Sequence, residues 1–538
     1  MGSILSALRS ASKGVAAVAK LLMDLNRQYQ ALLVRVNAPP GLPYDKPSAP
    51  YWLDDPPFPE LVDARSDALP GEADVVVIGS GITAVAVVRS LYAAASATGP
   101  KPRVVVLEAR QLCSGATGRN GGHVKASPHE LFPRLAKVFG KERGAELTRF
   151  TLRTAEAVLE VGEGREGAEC RRVETVDFFM DADGFEAAKK EVEELKRWVP
   201  EVEIRVVGRE DAREEFEVEG DHCFGALAYA AGALWPYRLV ASCWREVLDQ
   251  VGEKRLSIET STAVEEVLLE GGREERRPYV VRTRRGDVRA RHVVHATNAH
   301  ASQFLPGLRS KMTGAKAHMT AQRPGEGFAA GRGDGARSWS FLYGGGMFDY
   351  VTQRPNGDVM LGGGFARSPG QGADMVGVYE DGSTEGMTIA HVAGVMGSVF
   401  GARWGGSLMR AWSGVIAFTG DMAPFVGRVP EGISRRKRAA AGGKMKTKEK
   451  AKEVDDEGWM GAEAGEWVSA GYCGDGMVWA WGCGTAVGVM ISGKEGDVLE
   501  KSVGFPGGRL QEWFPQDLVI TEARVKKADL SNLLDELM

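Results

Sequence analysis

The chain of 538 residues lacks several features that mark particular protein classes. No stretch of 18 or more apolar residues occurs, so we expect no transmembrane helix. The formal net charge is only −5, and without a basic excess to neutralise phosphates we expect no nucleic-acid partner. The six cysteines form no C-x-x-C pair and no His/Cys ligand spacing, so we expect no metal site. No secretory leader is recognised before them, which predicts free thiols in a reducing compartment. These absences favour a cytoplasmic protein.

A strand, a glycine-rich turn and a helix follow one another from residue 74. Residues 74–78 (DVVVI) are mostly β-branched, as in a strand buried on both faces of a parallel sheet, and residues 104–107 (VVVL) repeat the pattern. Between them, residues 79–84 (GSGITA) fit G-x-G-x-x-[G/A]. In that pattern Gly79 allows a tight turn, Gly81 lets the backbone approach a pyrophosphate, and Ala84 lets the helix pack on the sheet. The segment predicts a dinucleotide-binding βαβ unit.

Two further positions specify the dinucleotide. Glu108 follows the second strand, where a carboxylate can bind the hydroxyls of an unphosphorylated ribose, which favours FAD or NAD over NADP. The turn 474–477 (GDGM) leads into another helix, whose N-terminus would stabilise the negative charge of a reduced flavin. The sequence contains no second Gly-rich βαβ pattern, so we expect one dinucleotide site. Together these features favour FAD.

The loop 113–123 (CSGATGRNGGH) is too rich in glycine for regular structure and follows the second strand. Its N–H groups and polar side chains would line the pyrophosphate and the flavin, although an ordinary glycine-rich loop is the alternative. His123, at the end of the loop, is either a flavin-facing group or a structural histidine. The motifs predict these cofactor-binding residues: Gly79, Ser80, Gly81, Ile82, Thr83, Ala84, Glu108, Ser114, Gly115, Thr117, Arg119, Asn120, Gly121, Gly122, Gly474, Asp475, Gly476 and Met477.

The remaining sequence indicates domains built from alternating pieces. Residues 431–463 begin with a basic tetrad (RRKR) and continue with a Lys/Ala/Gly stretch, so we interpret them as a disordered insert, with a nuclear signal as the less favoured alternative. The predicted organisation is an amphipathic helix at 1–36, a Pro-rich extended arm at 37–70, an FAD-binding domain at 71–150, 261–310 and 464–538 (with a C-terminal tail), and a strand-rich substrate domain at 151–260 and 311–430.

Residues 1–36 predict one amphipathic helix, because apolar residues from Ile4 to Leu25 recur at helical spacing. Lys and Arg supply its charge, and no acidic residue precedes Asp24. Three interpretations stay open: a helix that is docked on the body or partly disordered, an organelle-targeting segment, and a lipidated anchor, since residues 1–6 (MGSILS) match the myristoylation pattern. The alternatives to a cytoplasmic location are therefore mitochondrial, or peripheral attachment to a membrane by weak contact through this segment.

The motifs, taken in order, resemble the D-amino-acid-oxidase-type (DAO, glycine/sarcosine oxidase-like) FAD-dependent oxidoreductases, in particular their fungal branch. The matching segments are 74–84, 108–110, 114–122, 296–299 (ATNA), 353–355 (QRP), 362–364 (GGG), 412–414 (WSG), 419–424 (TGDMAP) and 474–477. They extend over most of the chain from about residue 50 to 493, apart from the insert. The resemblance implies further cofactor contacts from Ala109, Arg110, Val264, Thr297 and Asn298.

The resemblance also implies the fold and the chemistry. The fold is α/β, with a discontinuous Rossmann-like FAD-binding domain and a substrate domain built on a mixed or antiparallel sheet. The reaction is oxidation of a C–N bond in a small-molecule amino acid or secondary amine, with molecular oxygen or another electron acceptor. Two features depart from the family pattern. No cysteine stands near residues 419–424, so covalent flavin linkage there is not supported, and Val478 and Trp479 follow Met477 where some members carry an oxygen-activating lysine.

For the reaction we expect hydride transfer from the carbon of a neutral amine to flavin N5, after which the imine hydrolyses. A substrate carboxylate would call for an arginine fork, and Arg119 and Arg367 are candidates for it, with a surface or phosphate-contact arginine as the alternative for each. Tyr343 and Tyr350 are either pocket residues or core aromatics. The candidate catalytic residues are His123, Arg119, Tyr350 and Asp421, the last of which orients a loop or caps a turn. The alternatives are a flavin dehydrogenase that passes electrons to a quinone or protein, and a non-catalytic flavin-binding scaffold.

Overall fold

The computed structural model describes residues 2–95, 99–219, 221–270, 275–328, 334–436, 458–459 and 461–531. Two large sheets are built from interleaved parts of the chain. The strands are β1 (Glu72–Ile78), β2 (Val104–Leu107), β3 (His123–Val124), β4 (Arg171–Phe179), β5 (Ile204–Gly208), β6 (Gly225–Ala233), β7 (Leu256–Glu259), β8 (Val264–Leu269), β9 (Tyr279–Thr283), β10 (Gly286–His295), β11 (Met312–Arg323), β12 (Arg337–Leu342), β13 (Phe348–Gln353), β14 (Val359–Gly363), β15 (Ser407–Thr419), β16 (Phe425–Arg428) and β17 (Gly465–Ala470).

Helices connect these strands and cover the sheets. They are α1 (Gly2–Asn37), α2 (Pro59–Val62), α3 (Ile82–Ala94), α4 (Pro128–Phe139), α5 (Lys141–Gly162), α6 (Ala182–Trp198), α7 (Arg209–Phe216), α8 (Pro236–Val251), α9 (Ala301–Phe304), α10 (Gly386–Phe400), α11 (Glu431–Ser434), α12 (Gly476–Ser492), α13 (Leu510–Trp513) and α14 (Glu522–Lys527). In the part of the chain that the structure describes, no helix has the length and apolar character needed to cross a membrane.

The first sheet contains the predicted βαβ unit. Its strand order is β16–β17–β10–β1–β2–β7, and β1 pairs in parallel with both β10 and β2. Residues 73–78 and 104–107 are buried throughout, because packed side chains cover both faces of the sheet at these strands. Since β7, β10 and β17 come from distant parts of the chain, this domain is discontinuous.

The second sheet has the order β15–β11–β14–β13–β12–β4–β6–β3 and is mixed, because β12 and β4 pair in parallel while the other neighbours are antiparallel. Alternate residues of a strand lie on opposite faces of a sheet. Trp339 and Phe341 of β12 therefore share one core with Phe400 of α10, whereas Ser338 and Ser340 lie on the opposite face. That opposite face also carries Tyr350 and forms part of the candidate site.

The N-terminal arm reaches the glycine-rich loop. Trp52 is only 1 % exposed, and its indole N–H donates to the carbonyl of Asn120. The indole of Trp235 in turn donates to the carbonyl of Trp52 over 2.7 Å. The arm is otherwise largely irregular, with one short turn at Tyr51–Leu53 before α2. It thus braces the loop 113–123 from outside.

The structure differs from the predicted organisation in several places. β16 and β7, both assigned from the sequence to the substrate domain, pair with β17 and β2 of the first sheet, and β3, assigned to the FAD-binding domain, pairs with β6 of the second sheet. The strand-rich segment 311–430 also contains α10, whose helical pattern the sequence analysis missed. Arg436, placed in the insert, packs against the body: its Nε donates to Glu466 over 2.6 Å and its Nη2 to the carbonyl of Phe304 over 2.9 Å. Residues 437–457 and 460 of the predicted disordered insert lie outside the described residues.

Candidate active site

The turn after β1 requires glycine at two positions. Gly79 has φ +101°, a left-handed conformation that glycine adopts without strain, and its N–H donates to the carbonyl of Leu107 over 2.8 Å. A Cβ at Gly79 would lie 2.8 Å from the carbonyl oxygen of Ala296, and a Cβ at Gly81 would lie 2.8 Å from Oγ1 of Thr117. The two glycines therefore let the end of β1 approach β10 and the loop 113–123 closely.

The helix after this turn begins without a side-chain cap. Gly81 precedes α3 and has no side chain that could cap it. In the first turn of the helix, the N–H of Ile82 donates to Oγ1 of Thr117 over 3.1 Å. Helix N-termini with uncapped N–H groups bind phosphates, through those groups and the positive end of the dipole. α12 packs tightly on α3, since a Cβ at Gly484 would lie 2.7 Å from the carbonyl oxygen of Thr83. This packing holds α3 in place against the sheet.

The carboxylate of Glu108 lies beside the same turn. Its Oε2 accepts from the backbone N–H of Ser80 over 3.1 Å and from the Ser80 hydroxyl over 2.7 Å, and its Oε1 accepts from the N–H of Arg110 over 3.0 Å. A carboxylate offers about four acceptor positions, so about one remains for a ligand hydroxyl. Glu108 is half-buried and lines the cavity, as a ribose-binding carboxylate would.

A cavity joins these elements to the face of the second sheet. Most of the predicted cofactor residues line it, among them two of the candidate catalytic residues, Arg119 and Tyr350. The lining residues of these sets are Gly79, Ser80, Gly81, Ile82, Thr83, Glu108, Ala109, Arg110, Gly115, Thr117, Arg119, Asn120, Val264, Thr297, Asn298, Tyr350, Gly474, Gly476 and Met477. Oγ1 of Thr297 is buried and has no hydrogen-bond partner among the residues that the structure describes, so it offers an unsatisfied group to a ligand. The glycine cradle, Glu108 and Thr297 together fit a bound FAD.

One end of the cavity lies against the second sheet. Tyr350 of β13 and Met319 of β11 line it there, with the Tyr350 hydroxyl 3.1 Å from the Met319 sulfur. Burial raises the pKa of Tyr350 to about 12, so its hydroxyl stays protonated at neutral pH. Met477, at the start of α12, also lines the cavity, next to the glycine turn at Gly474 and Gly476. A reacting molecule in this end would be surrounded mainly by apolar groups.

Comparison with protein families gives one match that covers most of the chain. The family model described as DAO, FAD dependent oxidoreductase, matches residues 74–488. The chain belongs to the DAO family. FAD is therefore its cofactor, and the protein is an FAD-dependent oxidoreductase, as the sequence analysis predicted. A comparison with curated proteins gave no match.

Solved structures share the fold of this DAO-family chain. L-proline dehydrogenase from P. horikoshii has a TM-score of 0.57 and 18 % identity, over 83 % of this chain and 98 % of its own. Glycine oxidase from Geobacillus kaustophilus has a TM-score of 0.54 and 14 % identity, over 81 % and 98 %. L-amino acid deaminase from Proteus vulgaris, with its specific insertion deleted, has a TM-score of 0.55 and 15 % identity, over 82 % and 95 %. The predicted α/β fold class is confirmed, whereas the fungal branch stays a prediction.

Arg119 does not present a free fork to the FAD cavity. Its Nε donates to the carbonyl of Ser114 over 2.9 Å, its Nη1 to that of Ser413 over 2.7 Å, and its Nη2 to that of Ser48 over 2.7 Å. Its Nε also lies 3.3 Å from Asp381, a carboxylate that Arg110 contacts through Nη1 over 3.0 Å. Burial lowers the pKa of Arg119 to about 10, so the guanidinium stays charged. It cross-links the arm, the loop and β15.

Two candidate catalytic residues lie away from the cavity. His123 lies on β3, with its Nε2 2.9 Å from the Ser338 hydroxyl, because Gly122 at φ +68° turns the chain onto the second sheet. Burial lowers the pKa of His123 to about 3, so the ring is neutral. Asp421 forms an ion pair with Arg524 at 2.8 Å. Neither side chain lines the cavity, which favours the structural alternative for His123, and Asp421 accepts from the N–H of Ala423 over 3.4 Å, as a residue that caps a turn does.

Seven other predicted residues also lie outside the cavity lining. Arg367 is exposed, and its guanidinium lies over the ring of Tyr343. The hydroxyl of Tyr343 donates to Asp349 over 2.8 Å. Asp475 forms an ion pair with Arg134 at 2.8 Å. The remaining ones support the lining from behind, as small or buried groups packed against it: Ala84, Ser114, Gly121 and Gly122.

A buried ion pair behind Tyr350 was not found from the sequence. Lys125 contacts Asp177 through its ammonium group and donates to the Ser340 hydroxyl over 2.7 Å. The hydroxyl of Tyr229 donates to Asp177 over 2.6 Å. Burial alone would raise the pKa of Asp177, but Lys125 and these hydrogen bonds hold it below its usual value. Ser340 pairs with Tyr350 across β12 and β13, so this charged cluster lies one strand from the cavity wall.

The fold also brings a cysteine to the segment 419–424. Sγ of Cys473 lies 3.4 Å from Oγ1 of Thr419, although 54 residues separate them in the sequence. Burial raises the pKa of Cys473 to about 11. A cysteine is therefore close to this segment in the folded protein, although none is close to it in the sequence. Cys473 itself does not line the cavity, whereas its neighbours Tyr472 and Gly474 do.

Proposed function

We propose that the enzyme oxidises a C–N bond of a small-molecule amine, with FAD accepting the electrons. One observation carries the proposal: the FAD cavity continues to the face of the second sheet, where Tyr350 and Met319 line a mainly apolar end. Bound there, FAD supplies the hydride acceptor. The structural neighbours named for L-proline, glycine and L-amino acids support an amine as the substrate class.

The walls of this end favour the reactive form of an amine. Met319, Val415 and Ile416 line the cavity with apolar groups. Desolvation disfavours an ammonium ion and lowers the pKa of a bound amine, so the neutral amine is the form held there. The Tyr350 hydroxyl can donate a hydrogen bond that orients the substrate, since it remains protonated. The chain's contribution is thus to position the C–H bond and to exclude water.

The charges in the cavity favour a substrate without a carboxylate. Among the described residues that line it, the Lys and Arg side chains are Arg110 and Arg119, and both contact Asp381. Binding a carboxylate would require one of these ion pairs to break, which leaves a buried Asp381 with less compensation. We therefore favour a primary or secondary amine over an amino acid whose carboxylate is clamped by arginine.

The experiment is anaerobic bleaching of the flavin absorbance near 450 nm (roughly where oxidised flavins absorb) with matched pairs of compounds. Suitable pairs are proline with pyrrolidine, sarcosine with dimethylamine, and phenylalanine with 2-phenylethylamine. We expect the amine of at least one pair to bleach the flavin faster than its carboxylate partner. Bleaching by the amino acids alone would contradict the preference for amines, and no bleaching by any amine would contradict the proposed reaction.

The electron acceptor is tested with the same samples. Oxygen and a quinone or protein acceptor are the two candidates, and a quinone is favoured by Val478 and Trp479, which stand where some family members carry an oxygen-activating lysine. Reduced enzyme mixed with oxygen-saturated buffer is expected to reoxidise slowly and release little peroxide, whereas a soluble quinone analogue is expected to reoxidise it rapidly. Fast reoxidation by oxygen with stoichiometric peroxide would instead identify an oxidase.

A further inference from the structure

The helix α1 is attached to the body at its C-terminal end. Leu32 is 7 % exposed and packs in a small cluster with Ala315 and Val376. Arg35 donates from Nε to the carbonyl of Val376 over 2.9 Å and from Nη2 to the carbonyl of Ala373 over 2.6 Å. These contacts fix the last two turns of the helix against the second sheet.

The apolar face that makes this attachment continues along the helix without cover. With about 100° of rotation per residue, Leu22, Leu25, Tyr29 and Leu32 fall within one stripe of about 80°. Leu22 is 61 % exposed, Leu25 51 % and Tyr29 50 %. The helical spacing of the sequence continues this stripe through Ile4, Leu8, Ala11, Val15 and Val18, which widen it to about 120°. Between Leu22 and Leu32 the apolar face is therefore attached to the body at its C-terminal end and exposed ahead of it.

The opposite side of the helix carries positive charge. Residues 1–37 contain five Lys or Arg and one acidic residue, Asp24. Four of the basic positions fall within about 40° of one another, opposite the apolar stripe: Arg9, Lys13, Lys20 and Arg27. A second copy packed on the apolar stripe would leave this basic face without a partner, whereas an anionic lipid surface complements both the apolar stripe and the basic charges. An amphipathic helix with a basic polar face typically lies in a membrane interface.

We propose that α1 binds the surface of a bilayer that contains anionic lipids. The stripe of Leu22, Leu25 and Tyr29 enters the boundary between headgroups and acyl chains, and the basic face adds attraction to the anionic headgroups. The contacts of Leu32 and Arg35 keep the catalytic body attached to the membrane-bound helix. The enzyme is thereby held at a membrane surface, whichever amine it oxidises.

The test is flotation of the purified full-length holoenzyme with two kinds of vesicle, phosphatidylcholine alone and phosphatidylcholine with phosphatidylglycerol. We expect flotation with the mixed vesicles, little with phosphatidylcholine alone, and weaker binding as salt rises. Leu22→Glu with Leu25→Glu is expected to reduce the partition coefficient at least tenfold for each side chain. Lys20→Gln with Arg27→Gln is expected to reduce it about fivefold for each charge at low salt.

The matched control replaces two exposed apolar residues elsewhere. Val498 is 68 % exposed and Val503 57 %, so Val498→Glu with Val503→Glu adds the same charge without touching α1. This variant is expected to float like the wild type, and the flavin content of every variant shows that the body is folded. The proposal is wrong if the wild-type protein floats with neither kind of vesicle. It is also wrong if the Leu22→Glu, Leu25→Glu variant floats as well as the wild type. It is also wrong if light scattering shows a dimer that this variant splits, without vesicle binding, because the face then joins two copies.

Discussion

The carboxylate of Glu108 provides a quantitative test of the FAD site. Its two oxygens accept three hydrogen bonds, from the N–H and hydroxyl of Ser80 and from the N–H of Arg110. In Glu108→Gln the amide group offers one oxygen and one NH₂ group. Whichever way the amide turns, its NH₂ group meets one of the two backbone N–H groups. At least one charge-assisted hydrogen bond is lost, and the turn that holds the pyrophosphate shifts.

The neutral amide also loses the charge-assisted hydrogen bond that the remaining acceptor position would make to a ribose hydroxyl, and a bond of this kind is worth about 1.5–3 kcal/mol of FAD binding. The Kd for FAD should therefore rise about 10- to 150-fold, since each 1.4 kcal/mol is about a factor of ten. The assay is titration of the apoprotein with FAD, followed by the quenching of flavin fluorescence. Glu266→Gln is the matched control, because Glu266 pairs with Arg282 on the surface at 3.0 Å and its side chain is 52 % exposed.

The control variant should bind FAD within about twofold of the wild type, because an exposed ion pair contributes about 0–1 kcal/mol and lies outside the cavity. The far-ultraviolet circular dichroism of both apoproteins should match that of the wild type. A Kd for Glu108→Gln within threefold of the wild-type value, with the fold intact, would refute the assignment of Glu108 to the ribose site.

Three further predictions concern stability and packing. In Asp177→Asn the Lys125 ammonium loses its buried partner, so the free energy of unfolding in urea should fall by about 3–5 kcal/mol. Burial lowers the pKa of His292 to about 3, so below pH of about 6.5 the unfolded chain binds a proton that the folded protein does not. This group should therefore reduce stability by about 1.4 kcal/mol per pH unit as the pH falls towards 3, and His292→Phe should remove that contribution in urea titrations at several pH values. Gly484→Val places a branched side chain against α3, since a Cβ there would lie 2.7 Å from the Thr83 carbonyl oxygen. This variant should lower the free energy of unfolding by about 1–3 kcal/mol and should release FAD on dialysis.

Each of these predictions has a discriminating control. For the ion pair, Lys125→Met combined with Asp177→Leu removes both charges and should recover most of the lost stability; a double variant as unstable as Asp177→Asn would show that packing, and not the unpaired charge, is responsible. For His292, an unchanged pH slope in the Phe variant would contradict the assignment. For the helix contact, Gly394→Val is the control, since a Cβ at Gly394 meets nothing within 4 Å.

The strand, the turn and the helix around Gly79 could be predicted because their chemistry is local. Glycine is required at Gly79 and Gly81 because a Cβ would clash with Ala296 and Thr117, but the two glycines can be recognised in the sequence without knowing these partners. Glu108 was found for the same reason, since it ends the neighbouring parallel strand. Family resemblance then supplied Val264 and Thr297, which come from β8 and from the end of β10, and which spacing alone could not have placed beside the turn.

The substrate end of the cavity depends on contacts between distant segments. Asp381, which contacts Arg119, lies 262 positions away in the sequence, and no local pattern connects them. Likewise, the hydroxyl of Thr352 donates to the carbonyl of Gly121 and fixes the end of the loop on β13. A pattern of residue types within one segment cannot show which partner it will meet. For this reason Arg119, a candidate for binding a substrate carboxylate, already forms its hydrogen bonds and its ion pair within the fold.

His123 shows how a single turn decides between the two possible roles of a residue. The Gly-rich loop left open whether the side chain at its end would face the flavin or have a structural role. In the structure Gly121 contacts Tyr350 so closely that a Cβ would lie 2.5 Å from the ring, and Gly122 then takes a positive φ that directs the chain along β3. The loop thus contacts the cavity through residues 115–120 and leaves it before His123. Because Tyr350 packs against Gly121, the position of its ring depends on these two glycines. A side chain at residue 121 would therefore displace this wall of the cavity before it displaced His123.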